Sequence, residues 1–154
     1  MLSLSNLIGK TIFHIKYEYF QENGLQGFCS YVKLEDDTIF SLFNCDEIVY
    51  YLNEANIAYF KEKFDKGEEV EEFAKKKILR QKIEDIYSFY HMNEIDDDKS
   101  LVLKLNNGIY LTEINYRPVG IAVGLCIYNE IEFNDFQKRY VTNKDYQIKS
   151  YLEN

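Results

Sequence analysis

The chain has 154 residues, a net charge of −8, and 46% hydrophobic and 16% aromatic residues. That length and apolar content suit one compact domain with a substantial core. No apolar run approaches the roughly 20 residues a spanning helix needs, and acid exceeds base in both halves, which argues against gripping the phosphate backbone of a nucleic acid.

The opening residues, Met1-Leu2-Ser3-Leu4-Ser5-Asn6, lack the basic and apolar stretches of a signal peptide, so a cytoplasmic protein without a membrane partner is expected. Strand formers dominate the rest of the chain. Residues 11–20 read as a strand with Phe13, Ile15, Tyr17 and Tyr19 on one face. Residues 28–35 and 38–43 read as a hairpin around Asp36-Asp37, and residues 48–52 as a fourth strand. Asn53 is positioned to cap a helix that runs to about residue 66, with Gly67 as a left-handed stop. Ile57, Phe60 and Phe64 form its apolar stripe. Residues 68–78 place acids first and lysines last, the charge order that suits the dipole of a connecting helix.

The second half reads alike. Strands are expected at 81–92, 101–105, 109–115 and 121–128, with Asn106-Asn107-Gly108 as a hairpin turn and Arg117-Pro118 as a break. Asn129 and Glu132 make a capping box for a last helix, whose buried face is Phe133, Phe136 and Tyr140. The tail beyond Tyr140 reads as a polar segment.

The halves also match residue by residue. Ile12, Ile15 and Tyr19 fall on Ile83, Ile86 and Tyr90 at an offset of 71, and Val32-Lys33-Leu34 falls on Leu103-Lys104-Leu105. The turn after this match reads as one residue shorter in the second half. Ile57, Phe60 and Phe64 fall on Phe133, Phe136 and Tyr140 at an offset of 76. The fold expected is therefore α+β and mostly antiparallel: one compact domain of two sequence-related ββββα units, about 8–67 and 79–142, with a pseudo-two-fold and a connecting helix at about 68–78. Isoleucines three apart cannot share one face of a flat strand. Either a β-bulge lies near Phe13–His14 and near Glu84–Asp85, or each strand starts at its second isoleucine.

Chemistry-bearing patterns are few. Cys29, Cys45 and Cys126 have no C-x-x-C spacing and read as buried free thiols. His14 and His91 lack metal-ligand spacing, and no nucleophile elbow or phosphate-binding loop is present, so no catalytic residue, metal or cofactor is expected. What remains is acid and tyrosine. Asp36, Asp37, Asp46, Glu47, Asp96, Asp97 and Asp98, with Tyr50, Tyr51 and Tyr87 as anchors, are the expected contacts of a basic protein partner. The function expected is a non-enzymatic acidic protein-binding module, such as a cytoplasmic immunity-type inhibitor of a basic toxin or nuclease. The alternative is an enzyme or small-ligand binder whose pocket lies between the units, where His14, Asp85, His91 and Glu113 would converge. The sequence does not choose between monomer and homodimer.

Overall fold

The computed structural model describes residues 2–42, 48–49, 54–96 and 98–152. The first half holds strands β1 (Ile12–Glu22), β2 (Leu25–Leu34) and β3 (Ile39–Ser41), then helices α1 (Glu54–Lys66) and α2 (Glu72–Ile78). The second holds β4 (Ile83–His91), β5 (Val102–Leu105), β6 (Tyr110–Ile114), β7 (Gly124–Tyr128), helix α3 (Glu130–Tyr140) and β8 (Tyr146–Ser150). Among the described residues these make an α+β fold of two antiparallel sheets. One is ordered β7-β6-β5-β4-β8. In the other, β1 lies between β2 and the two-residue strand Glu68–Glu69, while β3 and Arg117–Pro118 pair with β2. A separate pair joins Leu2–Ser3 to Ile48–Val49.

Both bulges are present. The β1–β2 register shifts between Ile12 and His14, and the β4–β5 register shifts between Ile83 and Asp85. The extra residue restores the face, so Ile12, Ile15, Ile83 and Ile86 are all buried while Phe13 and Glu84 point outward. These isoleucines enter one core drawn from both halves, with Val32, Leu34, Leu103 and Leu105. A second cluster, Phe89, Val102, Tyr110, Phe133 and Tyr140, lies under α3.

The halves meet through backbone. Ile12 N–H donates to Gln81 at 2.9 Å and Ile83 N–H to Lys10 at 2.9 Å; Arg80 N–H donates to Ile12 at 2.8 Å and Gly9 N–H to Ile83 at 2.7 Å. Exchanging the halves at an offset of 71 maps this set onto itself. The same offset holds through the hairpins, where Asp37 N–H donates to Leu34 and Gly108 N–H to Leu105. The second turn is therefore not shorter than the first at this point.

Two elements differ from expectation. The 68–78 segment is not one helix. Glu68–Glu69 pairs with Lys16 and Tyr17 as a short strand, and α2 comes after it. The tail also forms a strand, β8, along the corresponding edge of β4. Gly67 does not stop α1 with a positive φ. It is needed for close approach instead, because a Cβ there would stand 2.9 Å from the Lys16 Cβ. At α3 the capping box of Asn129 and Glu132 is present in full. Asn53 lies outside the described residues.

Candidate functional site

Asp36 and Asp37 occupy the β2–β3 turn and are paired. Lys10 bonds Asp36 at 2.6 Å, and Lys33 lies 3.7 Å from Asp37. Burial pushes the Asp36 carboxyl up, but hydrogen bonds from Lys10 and Thr38 outweigh it and hold the group below its ordinary value. Both aspartates line a hollow of about 470 Å³ facing α1, together with Lys33, Lys61 and Asp65. Charges of both signs alternate there, so it is not an acidic face.

Asp96 and Asp98 lie in the loop before β5. Asp96 accepts from the Tyr140 hydroxyl at 2.9 Å and from the Asp98 N–H at 3.1 Å, which ties that loop to the end of α3. Tyr87 is half-buried under α3, its ring 5.0 Å from Phe133 and 6.2 Å from Tyr110, so it belongs to the floor of that helix. Asp46, Glu47, Tyr50, Tyr51 and Asp97 lie outside the described residues, as does Cys45. The described candidates thus fall in three separate places: the β2–β3 turn, the loop before β5 and the floor of α3.

The four residues of the ligand-pocket alternative do not converge either. His14 bonds Glu69 at 2.6 Å. His91 stacks on Tyr146 at 4.3 Å. Asp85 is buried and accepts from Leu152 N–H at 2.9 Å, Ile86 N–H at 2.7 Å and the Ser150 hydroxyl. Glu113 is sealed between the sheets. β3 pairs with β2 only as far as Ser41 opposite Tyr31, and the next N–H along β2, that of Ser30, goes to Glu113 at 3.0 Å. The hydroxyls of Ser30 (2.5 Å) and Ser100 (3.0 Å) and the Asn115 amide (3.1 Å) also donate to this carboxylate. Burial pushes its pKa up to about 7, while these donors pull it down. A carboxylate has about four lone-pair sites, and here four donors address them. The group therefore joins the halves but is 6% exposed and offers no open face to a substrate. Its neighbour Cys29 is equally withdrawn, with burial first and Glu113 next pushing the thiol up to about 12. Among the described residues no three of His, Cys, Asp or Glu gather as a metal-binding group.

A further arrangement is aromatic. A cleft of about 410 Å³ lies between the sheets beside α2. Its floor is Phe28, buried and paired in register with Tyr19; its walls include Tyr17, Tyr19, Glu71, Phe73 and Leu125. Tyr19 is 58% exposed and Phe73 62% exposed. Lys77 sits 4.3 Å above the Phe73 ring. Tyr17 and Tyr19 were legible as one strand face, since residues two apart in a strand point the same way. That Phe28 and Phe73 join them depends on the pairing of β2 with β1 and on where α2 docks, which no local pattern signals.

No helix among the described residues is long and apolar enough to cross a membrane. No family model matches the chain, and no curated protein or solved structure matches it either.

Proposed function

We propose that the protein is a non-enzymatic binding module acting in the cytoplasm, an acidic inhibitor of immunity type that covers a basic protein such as a toxin or nuclease. The observation that supports this reading is the cleft beside α2. Exposed rings over a buried aromatic floor supply the large, rigid contact area that dominates binding energy at interfaces. Tyr19 and Phe73 stand as anchors in the same cleft as Glu71, in a chain of net charge −8. That charge speeds the approach of a basic partner, and the rings hold it once docked. The paired Asp36 and Asp37 contribute to the long-range field and not to the anchor.

Affinity capture with tagged full-length protein, followed by titration of the purified partner, tests this reading. The expected result is one stoichiometric basic partner whose affinity falls with salt. Tyr19→Ala with Phe73→Ala should weaken it about a hundredfold or more, as two lost hot spots do, while Asp36→Asn changes it little. A captured partner that is acidic, or one that the double variant binds as tightly as the parent, overturns the reading.

A further inference from the structure

Glu71 is the N-cap of α2, yet its side chain makes no capping bond. Among the described residues its carboxylate has no hydrogen bond and no ion pair. It faces the same cleft as three rings that form a corner. Tyr17 and Phe28 are stacked, with centroids 5.1 Å apart and planes at 25°. Tyr19 stands edge-on to both, at 5.1 Å and 73° to Tyr17 and at 5.4 Å and 62° to Phe28. Aromatic faces carry negative potential and attract cations. Burial first, and the neighbouring Glu68 carboxylate next, raise the pKa of the Tyr17 hydroxyl. None of the chain's own cations lies over Tyr17, Tyr19 or Phe28 among the described residues, and Lys77, which lines the cleft, is engaged by Phe73.

An aromatic corner beside an unpaired carboxylate is the complement of a flat cation. A guanidinium stacks on a ring and donates N–H to a carboxylate at the same time, and it is more weakly hydrated than an ammonium. We propose that Tyr17, Tyr19, Phe28 and Glu71 form a subsite for a guanidinium group, the arginine side chain of a protein partner. This rests on the protein-binding reading of the cleft and names the chemical group it takes.

The test is a nuclear magnetic resonance titration of the full chain with N-acetyl-argininamide, with the citrulline analogue as an uncharged isostere and lysinamide as a second cation. Saturable shifts are expected at the rings of Tyr17, Tyr19 and Phe28 and at the amides around Glu71. The citrulline analogue should leave them in place, and lysinamide should bind several-fold more weakly. Tyr19→Ala and Glu71→Gln, both at exposed positions, should each weaken the argininamide response about fivefold or more. Equal shifts with the citrulline analogue, or argininamide shifts confined to the Asp36–Asp37 turn, overturn the subsite. If a basic partner is captured through Tyr19 but argininamide does not bind, the subsite falls and the binding module stands. If argininamide binds and no basic partner is captured, the subsite stands and the inhibitor reading falls.

Discussion

In both halves a bulged strand carries a helix on one face and turns the other face toward the core. The side chains at matching positions differ, and so does what covers them. In β4, Tyr87 and Phe89 lie under α3 against Phe133, Phe136 and Tyr140, with ring centroids 5.0–5.6 Å apart. The matching positions in β1 are Lys16 and Glu18. Lys16 sits 4.8 Å over Phe64 of α1, and Glu18 takes Lys63 at 3.2 Å and the Tyr31 hydroxyl at 2.7 Å. One helix is thus held by rings, the other by rings and charges. On the opposite face Ser88 is buried and bonds the Tyr151 hydroxyl at 3.2 Å, whereas its match Tyr17 opens into the cleft. A shared backbone plan does not dictate a shared surface. Two or three side chains per strand decide whether a face is closed or left open.

The largest expected effect separates the two helices. Phe133 is 1% exposed, and its match Ile57 is 46% exposed. Phe133→Ala should cost about 3–5 kcal/mol, the range for truncating a buried ring. Ile57→Ala should cost under about 1 kcal/mol. Equal shifts in the urea midpoint would show that α1 packs as tightly as α3 and would break the comparison.

The seam between the halves gives the next effect. Glu113 has a raised pKa, about 7 against an ordinary 4.5. Between those values the folded protein holds a proton that the unfolded chain has lost, so stability falls as pH rises. The contribution is complete below about pH 4.5 and is lost as pH passes through 7. Its size is on the order of 3 kcal/mol, at 1.36 kcal/mol per unit. Glu113→Gln removes the titration, so the difference in stability between parent and variant should change with pH across that window. A constant difference from pH 5 to pH 8 would mean that the carboxylate keeps its charge in the fold.

Glu69 supplies the opposite sign in the first half. Burial pushes its carboxyl up, but the His14 bond and the charges of Lys75 and Lys16 outweigh it and hold the group below its ordinary value. Its contribution is present above the ordinary carboxyl range and is lost as pH falls through the lowered folded value. The side chain is 54% exposed, so Glu69→Gln should cost under about 1 kcal/mol, and less in high salt. A larger loss would show that the Glu68–Glu69 strand is held chiefly by this charge.

How much of this was legible in the sequence depends on the range of the interaction. The bulges were legible as one of two readings, because an Ile-x-x-Ile spacing conflicts with a two-residue period and either an inserted residue or a later strand start resolves it. The α3 cap was, because Asn129 and Glu132 act within one turn. The burial of Glu113 left a trace in the sequence: Leu111, Glu113 and Asn115 alternate onto one face, and Leu111 is core. Its donors, Ser30 and Ser100, are remote in sequence and gave none. Strand β8 was missed because Tyr146-Gln147-Ile148-Lys149-Ser150 is polar at an edge, where packing asks little of it. The cleft was out of reach, since its rings come from β1, β2 and α2.

The smallest effects probe the symmetric backbone itself. Positive φ falls at two matching pairs, Gly9 (90°) with Arg80 (68°) and Asp37 (71°) with Gly108 (85°). Each pair has one glycine and one residue that bears a Cβ, on opposite halves. An L side chain in this region costs about 1 kcal/mol or somewhat more, less for Asp. Gly9→Ala and Gly108→Ala should therefore each cost about 1 kcal/mol, with nothing for the new methyl to strike within 4 Å. Arg80→Gly and Asp37→Gly should gain little, since relief of strain is offset by the extra freedom of glycine in the unfolded chain. If Arg80→Gly instead costs as much as Gly9→Ala, then the Arg80 side chain, and not its backbone angle, holds that end of the seam. The two ends would then be alike in hydrogen bonding alone.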